Sequence, residues 1–277
     1  MPKQIRDLLR AVPQDGRFRL AQVDPDSTPG LKHTKRRALE DLDRHRATLF
    51  ELQTRLYAER KRSVLMVLQG MDTSGKDGTI THVIGGVNPQ GVKITAFKAP
   101  TPEERRHGFL WRIRKNVPDA GQVGIFNRSH YEDVLVVRVH NLAPVNVIER
   151  RYELINRFEK ELDRSRTKVI KFCLHISYEE QRRRLIDRLK NPDKHWKFNE
   201  HDIDERAYWD DYMAAYSIAI TECSTPESPW YVIPADNKDY RNWAVMRILI
   251  ETLQEMDPQY PQPKLNVPRL LGRLKKS

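Results

Sequence analysis

Five short apolar runs punctuate an otherwise densely charged chain, each bounded by polar or turn-forming residues. The run at 64–68 follows Arg60, Lys61 and Arg62 and is apolar throughout, the pattern of a strand buried on both faces. Similar runs at 92–97, 121–126, 168–176 and 230–234 predict four further strands. Between them the pattern turns helical: helices are expected at 79–84, from about Pro100, over 145–166, after Ser177 and over 242–256. Thr101 with Glu104, and Ser177 with Glu180, have capping-box spacing, and Pro102 sits at a first helical position. Ahead of the first strand, Leu39, Leu42, Leu49, Leu52 and Leu56 recur near the helical period among charges, predicting one long amphipathic helix over 32–61.

Strands alternating with helices imply an α/β fold: a three-layer α/β/α sandwich around a mainly parallel, five-stranded sheet. Ligands of such sheets gather at the strand C-termini. Residues 1–31, rich in Pro, Gly and Asp, read as an irregular arm, 32–257 as one domain, and 258–277 as a tail.

Length and charge narrow the function. At 277 residues the chain can bury one full core with an inserted module, or at most two small domains, one domain being the expectation. It contains no run of about 18 apolar residues, and Met1-Pro2-Lys3-Gln4-Ile5-Arg6 is no secretion signal, so a soluble, cytoplasmic protein is expected. Cys173 and Cys223 have neither metal nor disulfide spacing and read as reduced thiols. The net charge of +11 points to nucleic acid, an anionic membrane or a phosphate polymer, or else to a solvated basic surface. No RNP-like aromatic motif or zinc finger favours nucleic acid.

The first strand runs into Gly70-Met71-Asp72-Thr73-Ser74-Gly75-Lys76-Asp77-Gly78-Thr79, whose G-x-x-x-x-G-K spacing aims backbone N–H groups and a lysine at phosphate. Gly70, Thr73, Ser74, Gly75, Lys76, Asp77, Gly78 and Thr79 are the candidate phosphate contacts, at the positive end of the next helix. Common phosphate loops carry Ser or Thr after the lysine; here Asp77 stands, so the metal arrangement must differ. Asp72 is placed to hold Mg2+ directly or through water, with Glu132 and Asp133 as further metal candidates; each of these acids reads equally as a surface residue or cap. Arg128, past the third strand, is positioned to reach a transferred phosphoryl group.

Residues 181–198 are dense in cations and broken by Pro192, where a phosphate-loop kinase places a helical lid, here about 182–212. Arg184 and Arg188 share one helical face and are candidate catalytic cations, while Lys194, Lys197 and Arg206 extend the basic surface. Trp196 and Phe198 read as packing residues, and His107 and His130 as structural histidines.

Together these segments resemble the family-2 polyphosphate kinases. The resemblance rests on residues 70–79, on Phe126-Asn127-Arg128-Ser129-His130-Tyr131-Glu132-Asp133 as a Walker B region, on residues 191–198 with Asp204-Glu205-Arg206, and on Phe97-Lys98-Ala99-Pro100-Thr101 with His107, Trp111 and Arg112. It spans about 32–256. Asn127 and His130-Tyr131-Glu132 resemble the subgroup that phosphorylates both nucleoside mono- and diphosphates. An amide is no anionic metal ligand, so Asp72 with Glu132 or Asp133 would take the Walker B metal role. The resemblance implies polyphosphate as donor, AMP and ADP as acceptors, with guanine nucleotides as further candidates, Mg2+ or Mn2+ as cofactor, and a homo-oligomer without nucleic-acid or membrane partner. Thr101, His107, Trp111 and Arg112 are assigned to the acceptor side by fold analogy. Two alternatives stand beside this reading: an ATP-dependent nucleotide or small-molecule kinase, which Asp77 disfavours, and a basic nucleic-acid binder.

Overall fold

Parallel strands need long crossovers, and this chain supplies a helix for nearly every one. The structure, a computed structural model, describes residues 4–13, 15–31 and 35–277, without the side chains of 35–40 and 43. The expected helix start at 32 and the inward face of Leu39 lie outside the described residues. In chain order the elements are α1 (Ile5–Leu9), α2 (Lys35–Glu59), β1 (Ser63–Gln69), α3 (Lys76–Ile84), β2 (Val92–Ala96), α4 (Trp111–Arg114), β3 (Val123–Asn127), α5 (Val136–Val139), α6 (Val145–Arg164) and β4 (Thr167–His175). They continue as α7 (Tyr178–Lys190), α8 (His201–Asp204), α9 (Trp209–Cys223), β5 (Trp230–Pro234), α10 (Lys238–Met256) and α11 (Val267–Leu274).

The five strands form one sheet in the order β2-β3-β1-β4-β5, every pairing parallel. Strand periodicity divides β1 between two cores. Val64, Met66 and Leu68 face α2, α3 and α10, whereas Leu65 and Val67 face α6 and α9. β1 lies between β3 and β4, so the chain leaves it at the point where strand order reverses, the place at which open α/β sheets bind ligands.

Three segments differ from expectation. Residues 10–31 of the arm are mainly turns and coil where they are described, but its start is helical: Ile5 and Leu9 of α1 are buried in the core, and the N–H groups of Ile5 and Arg6 donate to the Glu251 carboxylate at 3.2 and 3.1 Å. A buried carboxylate at a helix N-terminus meets donors that the helix itself cannot satisfy. After Pro100, both capping-box bonds form, Thr101 N–H to Glu104 at 2.8 Å and Glu104 N–H to Thr101 Oγ1 at 3.2 Å, but only the 3-10 turn Glu104–Arg106 follows before Gly108. α9 extends well past the expected lid end, and its buried residues, Tyr212, Met213, Ala215, Tyr216, Ala219, Ile220 and Cys223, leave little polar contrast to announce a helix. No helix among the described residues is long and apolar enough to cross a membrane.

Candidate active site

The phosphate loop holds its shape through two glycines and two buried arginines. Gly70 has φ +152° and Gly75 φ +102°, conformations that favour glycine, and a Cβ on Gly75 would lie 1.9 Å from Arg241 Nη1. Arg184, only 5% exposed, donates to Glu180, to the carbonyls of Thr73 (2.8 Å) and Ser74 (3.2 Å), and to those of Ala235 and Asp236. Its fork is thereby spent on the protein, so the structure places Arg184 as a brace of the loop rather than on a transferring phosphoryl group. Arg241 donates to Ser74 O at 3.1 Å, and burial, with Arg184 nearby, pushes its guanidinium down to about 10. The carbonyls of Thr73 and Ser74 are thus held by arginines, while the Ser74 N–H closes the turn onto Met71 O at 3.0 Å.

Lys76 opens α3 and folds back, donating from Nζ to Gly70 O at 2.7 Å and Met71 O at 3.3 Å. Burial lowers its pKa, with Asp72 opposing that shift. The hydroxyls of Thr73, Ser74 and Thr79 are buried without a partner around the same helix start. Across β3, Arg128 adopts φ +61° and pairs with Asp72 at 2.9 Å and Glu132 at 3.6 Å. Burial opposes its charge, yet Glu132 and Asp72 together raise its pKa. The Asn127 amide donates to Asp77 Oδ1 at 2.7 Å, and Lys197 of the lid stands 3.9 Å from the other Asp77 oxygen.

Two clefts meet over this loop. The first, about 610 Å³, is lined by Asp72, Lys76, Asp77, Asn127 and Arg128, by residues 96–99 after β2, and by Trp196, Asn199 and Asp202 of the lid. The second, about 530 Å³, is walled mainly by cations: Arg46, Arg184, Lys194, Lys238 and Arg241, with His82. Thr73, Gly75, Gly78, Arg188 and Lys197 line both. Lid and loop are also joined beneath the clefts, where Arg206 donates to Gln181 Oε1 at 2.7 Å and the Gln181 amide donates to Asp72 O at 3.3 Å.

Several expected site residues lie elsewhere. Asp133 pairs with Arg151 at 3.5 Å, burial raises its pKa, and it lines neither cleft. Arg112 is buried, donating to Lys98 O at 2.8 Å. His107 stacks on Trp111 with centroids 4.0 Å apart, and Thr101 caps its turn, so the four acceptor-side residues back the cleft wall at 96–99 without lining it. His130 is wholly buried against Glu159 at 3.3 Å, where Tyr131 and the ammonium of Lys171 also bond the same carboxylate. Sequence reasoning gave Lys98 no site role beyond its place in a motif and passed over Lys238 and Arg241, in the first turns of the helix that follows β5. The rule that ligands gather at strand C-termini would have found Lys238 and Arg241 had α10 been started at its Asn237 cap, which accepts from Asp239 and Tyr240 N–H, rather than at 242.

Among the described residues no group of three His, Cys, Asp or Glu side chains converges as a metal cage. Mg2+ needs only one or two carboxylates when phosphate oxygens and waters complete its octahedron, and Asp72, on the rim of the first cleft, fits that demand.

This loop and lid have counterparts in known proteins. Residues 32–261 match the family Polyphosphate kinase 2 (PPK2). The chain belongs to this family. Within PPK2 it is 52% identical over 253 residues to an AMP/ADP-polyphosphate phosphotransferase of Meiothermus ruber, covering 91% of this chain and 95% of that one. It is 42% identical to an ADP-polyphosphate phosphotransferase of Rhodopseudomonas palustris, covering 77% and 78% of the two chains. The crystal structure of a PPK2 from Arthrobacter aurescens superposes with a TM-score of 0.96 at 46% identity, covering 99% of this chain and 98% of that one.

Proposed function

We propose that this chain is an Mg2+-dependent phosphotransferase that moves phosphate from inorganic polyphosphate to AMP and ADP, giving ADP and ATP. The observation that carries the reading is the pair of clefts sharing Thr73, Gly75, Gly78, Arg188 and Lys197. The cation-walled cleft suits a linear polyanion, and the mixed-charge cleft suits a nucleotide whose phosphate must approach the same loop. The names of the Meiothermus and Rhodopseudomonas relatives support both substrates.

In this scheme an acceptor phosphate oxygen attacks the terminal phosphorus of the polymer; a P–O bond forms, the adjoining P–O–P bond breaks, and the shortened polymer leaves. The acceptor oxygen is already anionic and needs no general base. Catalysis is therefore positioning and charge neutralisation. Lys76 and the loop N–H groups hold the phosphoryl group undergoing transfer, and Arg128, oriented by Asp72 and Glu132, neutralises its equatorial oxygens. Arg188, Lys194 and Lys197 draw the polymer in from the lid side. Asp72 would hold Mg2+, whose positive charge would offset the repulsion among the phosphates.

Incubation with polyphosphate, Mg2+ and AMP or ADP, without ATP, is expected to yield ADP and ATP. Absence of product, with transfer from ATP to AMP intact, would replace this reading by an ATP-dependent kinase.

A further inference from the structure

Of the five tryptophans, four are buried or half-buried, but Trp196 is 78% exposed. Leaving an indole in water forgoes the burial that normally makes tryptophan worth carrying, so its position calls for an occupant. It sits on the 3-10 turn Pro192–Lys197 of the lid and lines the first cleft, together with Ala96, Phe97 and Ala99. The Lys197 ammonium lies 4.8 Å from the indole centroid, and the same lysine reaches toward Asp77 at the phosphate end. The second cleft carries no Trp, Tyr or Phe among the residues lining it. A phosphate polymer offers no π-face, whereas a nucleobase offers two.

We propose that Trp196 is the stacking platform for the acceptor's base and sets a preference for purine over pyrimidine nucleotides. Its exposure departs from the sequence expectation that Trp196 packs, and the proposal rests on the two-substrate reading above. The indole contacts the base while Lys197, the next residue, holds the phosphates, so one lid turn gauges the distance between base and reacting phosphate. Larger purine rings overlap the indole more fully than pyrimidines, and the lid closes more readily over them.

Trp196→Ala and Trp196→Phe in the full chain test this, with initial rates measured against AMP, ADP and CMP at saturating polyphosphate, then against polyphosphate at saturating AMP. Trp196→Ala is expected to raise KM for AMP and ADP about tenfold or more, the loss seen when a base stack is removed. KM for CMP should change far less, KM for polyphosphate should stay within about twofold, and Trp196→Phe should recover most of the loss. Unchanged AMP kinetics in Trp196→Ala would overturn the proposal, as would equal rises for AMP and CMP, or a parallel rise for polyphosphate indicating a general lid defect. If wild-type protein makes no nucleotide product from polyphosphate, the two-substrate reading itself has failed. Quenching of tryptophan fluorescence by AMP in wild type, absent in Trp196→Phe, then separates base stacking from that failure.

Discussion

Asp77 stands where a phosphate loop ordinarily carries a hydroxyl, and its carboxylate lies between the Asn127 amide and the Lys197 ammonium. A metal ligand position has thus become a contact between loop, β3 and lid. The departure was legible in the sequence, because it breaks a fixed spacing; the partners were not, since Lys197 is 120 residues further along the chain. Lys76 shows the same division. Its place after the glycines follows from the motif, but its retreat onto Gly70 O and Met71 O, and the burial that lowers its pKa, belong to the folded loop. Lys76→Ala is expected to lower polyphosphate-driven ATP formation by roughly a hundredfold or more, because a preorganised charge at the transferring group is lost. The wild-type pH profile tests the charge itself. A lysine with a depressed pKa loses its proton earlier as pH rises, so kcat/KM for polyphosphate, which reports on free protein, should fall below the ordinary lysine range near 10.5. In kcat the limb should shift upward, since bound phosphate favours the ammonium. A kcat/KM profile flat to that range would contradict the assignment.

At the scale of elements, β1 and β5 were legible as short apolar runs of the kind a doubly covered parallel sheet requires, whereas the edge strand β2, Val92-Lys93-Ile94-Thr95-Ala96, is half-buried to exposed and was marked by its β-branched residues. Where local signals misled, tertiary contacts decided. The capping box at Thr101 forms its bonds without an α-helix, and α1 is held by Glu251, 246 residues from Ile5. Arg184 is the most consequential case. Its spacing to Arg188 puts both on one side of α7, which suggests a shared catalytic face, but the strand-to-helix junction after β5 comes close enough to take one end of its guanidinium. A helical wheel cannot show that neighbour. Arg184→Lys keeps a charge but cannot bond five oxygens in a fixed fork, leaving buried carbonyls of Thr73, Ser74, Ala235 or Asp236 unpaired. A loss of about 2–4 kcal/mol in urea unfolding is expected, along with reduced activity. Full stability with activity alone abolished would return Arg184 to the reacting phosphate. Lys171→Met offers a control away from the clefts: it strands Glu159 in the core, at an expected cost of about 3–5 kcal/mol on the same measurement.

Across the whole molecule, the net charge of +11 acquires a direction. Many surface cations are neutralised locally, as in Arg55 with Glu51, Arg182 with Glu179 and Arg183 with Glu180 and Asp187. Such exposed pairs contribute little to stability and leave little net field. The cleft between α2, α10 and the lid is different, because Lys194, Lys197, Lys238 and Arg241 converge there and, among the described residues, Asp187 and Asp239 are the acids in its wall. A linear polyanion entering it releases condensed counterions, whereas a nucleotide carrying few charges releases few. The Michaelis constants should therefore respond unequally to salt. Between about 50 and 200 mM salt, KM for long-chain polyphosphate is expected to rise about tenfold or more, and KM for AMP by less than about threefold. Lys194→Ala should raise KM for polyphosphate at low salt and reduce the logarithmic salt slope by about one, because one phosphate contact is removed. Equal slopes for the two substrates would mean that the polymer does not occupy this cleft, and would leave the excess charge as a solvated surface.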